Sequence, residues 1–548
     1  MTATASQRYL STRGGSSGLS FEEVVLKGLA NDGGLFIPEE IPSLPSDWRE
    51  TWNTLEFSEL AHRILSLYIS LEEIPSDHLR EILQRSYSTF REVNVTPLHT
   101  LDATQNLHLL ELFHGPTFAF KDVALQFLGN LFEYFLVRRN DCKEGSQRHH
   151  LTVVGATSGD TGSAAIYGLR GKKDVSVFIL HPAGRVSPIQ EAQMTTVLDS
   201  NVHNLAVEGT FDDCQDMVKA LFADEDINKT HKLGAVNSIN WARILAQITY
   251  YFHAYFDLIR LPTFDPEKSK LRFVVPTGNF GDILAGYFAK RMGLPVDRLY
   301  IATNENDILD RFFQNGLYEK QTPNPTEPTI GLQIDGAKAD PSGVRETLSP
   351  AMDILVSSNF ERLLFMLSSL TKTSNKRQSD VDAAADVKKW QADLKSSGSF
   401  SVPDIVLTLA KETFSSGRVS DPETLATIKT FHSPPAATPG LEPYVLDPHS
   451  AVGIAVALRS MTEPDGQPPI THTISLATAH PAKFAGAVRL ALQDVEGFDF
   501  DKDVLPTEFV GLEKKERRVR FVGAHEGLQG MRRIIREEVE NEKVVENV

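Results

Sequence analysis

From Leu107 onward, short apolar runs alternate with segments of helical periodicity. That alternation restricts the chain to parallel sheets covered by helices on both faces. The strand-like runs fall at 109–113, 152–155, 175–180, 202–207, 273–276, 299–302 and 471–477. Helices are expected from Lys121, from Gly162, over 188–198 and over 283–290. Ahead of this region, residues to about 94 read as a helical N-terminal unit: Phe57, Leu60, Ile64 and Leu67 make one stripe, and Leu79, Ile82 and Leu83 begin another. The expected division is 1–96, 97–270, 271–500 with a polar insertion near 371–399, and a charged extension over 501–548. The Pro-rich run 433–443 reads as a rigid loop, and the basic and acidic runs after Asp501 read as solvated faces.

Several turns in this pattern carry chemistry. His114-Gly-Pro-Thr-Phe-Ala-Phe-Lys-Asp122 places Lys121 where a Gly-Pro break gives way to a helix. Val123, Phe127, Leu128, Leu131, Phe132 and Phe135 recur along that helix as one apolar stripe. Unpaired N–H groups and the helix dipole at the first turn disfavour an ammonium, so the pKa of Lys121 should fall. A lysine tuned in this way serves as a Schiff-base former or a general base; the structural alternative is a solvated lysine at a helix start.

Val153-Val-Gly-Ala-Thr-Ser-Gly-Asp-Thr-Gly162 is a strand, a glycine turn and a helix start, with hydroxyls at Thr157, Ser158 and Thr161. Its glycines do not match the dinucleotide spacing, and no Walker lysine follows. Asp160 must either point away from a bound anion or accept a hydrogen bond from it. Val274-Val-Pro-Thr-Gly-Asn-Phe-Gly-Asp282 repeats the arrangement, which suggests two anions, or two ends of one ligand, held in one domain. Asn237-Ser-Ile-Asn-Trp-Ala-Arg243 offers amide and hydroxyl donors and a guanidinium fork suited to phosphate or carboxylate. As structure alone, Ser238 or Asn240 would cap a helix and Arg243 would lie on the surface. Thr478 closes the run at 471–477, at the sheet edge where ligands gather in open α/β folds.

Composition narrows the classes. A chain of 548 residues, 41% hydrophobic and 23% charged, suits a globular protein of several domains. A net charge of -17 argues against nucleic acid or an anionic membrane surface as partner. Two cysteines, Cys142 and Cys214, fit a reducing compartment. No run approaches a membrane span, and the first twenty residues lack the apolar core of a secretory signal. Gly14, Gly15 and Gly18 interrupt any amphipathic presequence. A cytoplasmic monomer is the expectation, and His149, His150 and His480 do not suggest a metal site.

Taken together and in this order, the segments 114–122, 158–162, 237–243, 276–282 and 475–484 resemble threonine synthases, pyridoxal-phosphate enzymes of fold type II. Tyr9-Leu-Ser-Thr-Arg-Gly, the run 29–38 and Asp447-Pro-His-Ser-Ala-Val-Gly453 are similar to the same family, and the insertions resemble its fungal type. The resemblance implies that Lys121 binds pyridoxal phosphate as a Schiff base. It implies that Gly278, Asn279, Phe280, Gly281 and Asp282 hold the cofactor's phosphate and that Thr478 faces its ring nitrogen. Ser158, Asp160 and Thr161 then meet the amino-acid end of the substrate, and Asn237, Ser238, Asn240 and Arg243 its phosphate. The implied reaction turns O-phospho-L-homoserine and water into L-threonine and phosphate. A phospholyase, a serine or threonine dehydratase and a catalytically silent ligand-binding homologue are the alternatives.

Overall fold

A computed structural model describes residues 7–320, 343–436, 438, 440–462 and 470–546. Numbering the strands of its two larger sheets in chain order, these are β1 (Leu98–Asp102), β2 (Leu107–Glu111), β3 (Leu151–Ala156), β4 (Val175–Pro182), β5 (Val202–Val207), β6 (Leu233–Gly234), β7 (Lys270–Pro276), β8 (Arg298–Thr303), β9 (Phe414–Arg418), β10 (Thr471–Ala477) and β11 (Arg520–Val522). One sheet has six strands in the order β9-β8-β7-β10-β2-β1, all parallel except the antiparallel edge strand β1. The other has five parallel strands in the order β11-β5-β4-β3-β6. Every residue of β4 is buried, as expected of a central parallel strand covered on both faces. For the same reason β10 buries every residue after Thr471, including His472, Thr473 and Ser475.

Four helices position the site: α1 (Lys121–Arg139), α2 (Asp160–Leu169), α3 (Trp241–Ile259) and α4 (Gly281–Met292). The single stripe expected of α1 is not what forms. Residues from Lys121 to Phe132 are buried without interruption, because α2, α3 and the helix Ser76–Tyr87 pack around it. The crossing of α1 and α2 is backbone on backbone: a Cβ on Gly129 would lie 1.9 Å from the Gly168 carbonyl oxygen, and one on Gly168 would lie 2.5 Å from that of Leu125. Only glycine permits this approach. It joins the helix carrying Lys121, which follows the six-stranded sheet, to a helix of the five-stranded sheet.

Other expectations change. The N-terminal unit, expected to be mostly helical, also contains an antiparallel ribbon in which Tyr9–Ser11 pairs with Phe36–Pro38. The boundary at 270/271 does not separate the sheets: the six-stranded sheet takes β1 and β2 from one side of it and β7 to β10 from the other. Parallel pairing reaches across long sequence separations, so contiguous segments need not be structural units. The polar stretch 371–399, in which the sequence allows a helix over 381–394, forms the longer helix Lys376–Ser397, and it is no surface excursion: it buries Ala383, Val387, Trp390 and Leu394 against the helix Phe360–Leu370. In the Pro-rich run, the Glu442 N–H bonds to Leu101 on the sheet edge at 2.8 Å. Nor is 501–548 a free extension. It supplies β11, and the helix Gly527–Glu546 buries Met531, Ile534 and Ile535 beneath it. Its opposite charges meet each other, Arg520 pairing with Glu537 and Glu538 at 3.4 Å, while Glu542 accepts from Ser176.

Candidate active site

The two sheets present the carboxyl ends of their strands to one cleft of about 3100 Å3. That exceeds the roughly 300–1000 Å3 of a single-ligand site, so a cofactor and a substrate fit together. Ser158 and Thr161 enter from the turn after β3, Gly278 to Asp282 from the turn after β7, and Thr478 from the end of β10. The two strand–glycine-turn–helix units therefore belong to different sheets and face each other, rather than sharing one domain.

Lys121 opens α1 and is 8% exposed. The turn before it is tied to the end of β10: Phe120 N–H donates to the Thr478 carbonyl at 2.8 Å, and Ala119 bridges Ala479. Phe118 takes the left-handed conformation at φ 60°, a strain of about 1–3 kcal/mol. The pKa of Lys121 is lowered, as expected from sequence, but burial is the main cause; the charges of Lys483 and Arg243 add to it and Asp160 opposes it.

Asp160 answers the question left open at its turn. Its carboxylate is 3.3 Å from Lys121 Nζ and 2.7 Å from Lys483 Nζ, and it accepts from Gln190 Nε2 at 3.1 Å. Burial pushes this carboxyl up, but Lys483 and then Lys121 pull it further down, leaving it well below the ordinary carboxylate range. Lys483 is fully buried and also donates to the Thr117 carbonyl at 2.8 Å. Sequence reasoning quoted the segment holding Lys483 without giving that residue a role. Its acidic partner is remote in the chain, so no local spacing could reveal the pair. Gly159, at φ 143°, has no space for a Cβ, which would lie 2.4 Å from the Gln190 amide oxygen. Thr157 is not a donor to the cleft; its Oγ1 accepts the N–H groups of Gly159 and Gly162 at 2.9 Å and closes the turn.

Across the cleft, carbonyls of the 278–282 loop are taken from behind. Ser357 Oγ donates to Gly278 at 2.7 Å, and Asn359 donates its N–H and Nδ2 to Asn279 at 3.1 and 2.9 Å. Phe280, left-handed at φ 61°, caps α4. Leu284 N–H is the first to reach an α4-side carbonyl, that of Phe280, so the N–H groups ahead of it remain for an anion. One oxygen each of the Asn279 and Asp282 side chains is committed elsewhere, while Asp282 Oδ2 has no partner among the described residues. Asn279 Oδ1 accepts from Ser358 Oγ at 3.1 Å, and the Asp282 carboxylate binds the hydroxyls of Tyr250 and Tyr251. Burial raises the Asp282 carboxyl to about 6 despite those bonds. Of Asp282, then, the backbone N–H and not the carboxylate faces an anion.

At the start of α3, Asn237, Ser238 and Arg243 line the cleft. Asn240 is removed from the set: it is fully buried, caps α3 through Ala242 N–H at 3.1 Å and donates to the Val25 carbonyl at 2.9 Å. Arg243 is not a surface residue. It is 3% exposed, its Nη1 donates to Val236 at 3.0 Å, and its Nε has no partner among the described residues. Burial lowers its pKa to about 10, leaving it a cation at neutral pH. A buried guanidinium with an idle donor at a cleft wall calls for an anion.

Three family models match the chain: threonine synthase N terminus over 8–87, pyridoxal-phosphate dependent enzyme over 89–354, and threonine synthase, C-terminal, over 450–535. The threonine synthase of Schizosaccharomyces pombe is 56% identical over 515 residues, covering 94% of this chain and 95% of that protein. The chain belongs to the threonine synthase family. The threonine synthase of Saccharomyces cerevisiae is 52% identical over 522 residues, with 94% and 95% covered. The crystal structure of threonine synthase from yeast superposes with a TM-score of 0.88 at 50% identity, over 98% of this chain and all of that one. A pyridoxal-phosphate-bound threonine synthase from Brucella melitensis gives 0.81 at 40% identity, over 97% and 99%. The resemblance read from the motifs is thus borne out, and with it fold type II. Pyridoxal phosphate is the cofactor of threonine synthases, and the residues here fit it: a buried amine of lowered pKa at one wall, and unpaired loop N–H groups for a phosphate at the other.

Proposed function

We propose that this cleft converts O-phospho-L-homoserine and water into L-threonine and phosphate, with Lys121 as its central base. One observation carries the reading: Lys121 and Lys483 are buried on the carboxylate of Asp160, with the buried Arg243 close enough to Lys121 to lower its pKa, a local cationic surplus in a chain of net charge -17. Such a surplus suits a substrate that brings a carboxylate and a phosphate.

When bound, pyridoxal phosphate supplies an electron sink for negative charge at the substrate Cα. Lys121 would anchor it, the N–H groups of 278–282 would hold its phosphate, and Thr478 would offer its ring nitrogen a hydroxyl in place of a carboxylate. Ser158 and Thr161 would bind the substrate carboxylate. The Lys121 amine, its pKa lowered by burial, takes the Cα proton and moves protons at Cβ and Cγ. Asp160 and Lys483 fix the position of that amine. Arg243, with Asn237 and Ser238, grips the substrate phosphate and stabilises the electron pair that departs with it as the Cγ–O bond breaks. The Cβ proton is delivered to Cγ, the oxygen of water adds at Cβ with one of its protons, Lys121 returns a proton to Cα, and the remaining proton of that water leaves with the phosphate.

The unpartnered Arg243 Nε favours this reaction over a dehydratase, which has no use for a second anion subsite. Supplying O-phospho-L-homoserine to the holoenzyme and following phosphate and products tests the proposal. Equal yields of phosphate and threonine are expected; phosphate with 2-oxobutanoate would replace the synthase with a lyase. We further propose a cytoplasmic monomer that acts on a small molecule and not on nucleic acid, the last supported by the net charge of -17. Among the described residues, no helix is long and apolar enough to cross a membrane.

A further inference from the structure

A second cavity, of about 640 Å3, opens behind the Lys121 turn between α1, α2 and the segment 508–515. Its inner wall combines the buried rings of Phe118 and Phe509 with two glutamines, Gln126 at 6% and Gln193 at 2% exposure. Gln126 Nε2 and Gln193 Oε1 are both buried and without a partner among the described residues. An idle buried amide group costs stability and is retained where something else satisfies it. The rim carries Arg85, Arg91, Arg170, Lys172 and Lys515. Three carboxylates answer these five cations: Glu133 pairs with Arg85 and Lys172, Asp199 with Arg170, and Glu508 with Arg91. Lys515 pairs with no carboxylate among the described residues. An acidic chain has therefore gathered cations around a cavity lined by two buried glutamines, each of which keeps one idle amide atom.

We infer that this cavity is a second ligand site, separate from the catalytic cleft, for a small phosphate monoester. The phosphate lies among the rim cations, where guanidinium forks suit its geometry. The body of the ligand rests on Phe118 and Phe509, and a polar group on it meets Gln126 and Gln193. The size falls within the roughly 300–1000 Å3 typical of small-molecule sites. The site also touches the catalytic machinery at one atom: Gln193 Nε2 donates at 3.3 Å to the Thr117 carbonyl that receives Lys483 Nζ.

The test is calorimetric titration of the holoenzyme with glycerol 3-phosphate at millimolar concentration. The site predicts a binding event that survives Arg243→Ala but weakens roughly tenfold or more in the exposed rim variant Arg85→Gln/Lys515→Gln. Gln126→Met supplies a second measurement. If the amide is kept for a ligand, this variant should melt higher than wild type without ligand and lose the stabilisation that glycerol 3-phosphate gives. Absence of any binding event that survives Arg243→Ala would overturn the inference and leave water as what satisfies the amides. Binding unaffected by the rim variant would overturn it equally, as would a lower melting temperature for Gln126→Met.

Discussion

Replacing Lys483 with methionine keeps the length of the side chain and removes one of the two ammonium groups on Asp160. At 2.7 Å against 3.3 Å for Lys121, Lys483 is the tighter partner and the stronger influence holding the carboxyl ionised against burial. Breaking a buried ion pair by removing one partner costs about 3–5 kcal/mol. Lys121 and the Gln190 amide remain on the carboxylate, so the expected loss lies at the low end, about 3 kcal/mol. The dependence on pH follows from the direction of the shift. The folded-state pKa of Asp160 is depressed, so its stabilisation is present above the unfolded value of about 3.9 and is lost as pH falls through the folded value. Urea denaturation of wild type and Lys483→Met should therefore differ fully at neutral pH and converge as pH falls below about 4. The same substitution removes a like charge beside Lys121, so that amine should titrate higher, and the rise of kcat with pH should move to higher pH. Lys483→Arg, which keeps the charge, should restore most of both. Equal denaturation midpoints at neutral pH, or a rise of kcat moved to lower pH, would refute the assignment of Lys483 as the residue that positions Asp160 and Lys121.

Other outcomes follow from the same geometry. Lys121→Ala should remove both turnover and the visible absorbance of bound pyridoxal phosphate; retained absorbance would mean another residue anchors the cofactor. Arg243→Ala should raise KM for O-phospho-L-homoserine by roughly tenfold or more while leaving cofactor affinity nearly unchanged, and equal loss of both would relocate the phosphate subsite. Gly129→Ala should cost about 3 kcal/mol or more, because the new Cβ meets a backbone carbonyl that cannot swing aside. An unchanged melting temperature would show that α1 and α2 do not cross so closely.

Local chemistry was the legible part. Seven strand-like runs were visible as apolar segments, and Val202–Val207 forms over the expected residues; Lys121 does open a helix. What was hidden is non-local. Strand order in a parallel sheet depends on crossovers rather than neighbours, so nothing near β2 in sequence announces that β10 lies beside it. The direction of the Lys121 shift was correct while its cause was not: the dipole argument uses local geometry, whereas burial comes from three helices contributed by distant segments. Asn240 shows the converse. A helix-start asparagine serves equally as cap or ligand on sequence grounds, and the Val25 carbonyl, more than two hundred residues away, decides for the cap.

The position of the reactive amine is set by backbone more than by side chains. Over Lys121–Phe132, helix α1 has no solvent-facing stripe on which to roll, and its contact with α2 runs through two glycines whose replacement would bring a Cβ against a carbonyl. Lys121 and Asp160 begin these two helices, so the crossing that joins the helices also sets the separation of the amine and the carboxylate. Thr478 and His480 hold the other side of the Lys121 turn through backbone bonds with Phe120 and Phe118, and Lys483, a few residues beyond β10, returns to the same carboxylate. The amine is thereby placed by contacts from both sheets, while its charge is governed by desolvation, by Asp160 and by the two neighbouring cations. Lys483 thus acts on both placement and protonation, whereas the glycine crossing acts on placement alone. Substitutions at Gly129 or Gly168 should disturb placement, and substitutions at Lys483 should disturb protonation, with pH dependence altered only by the second kind.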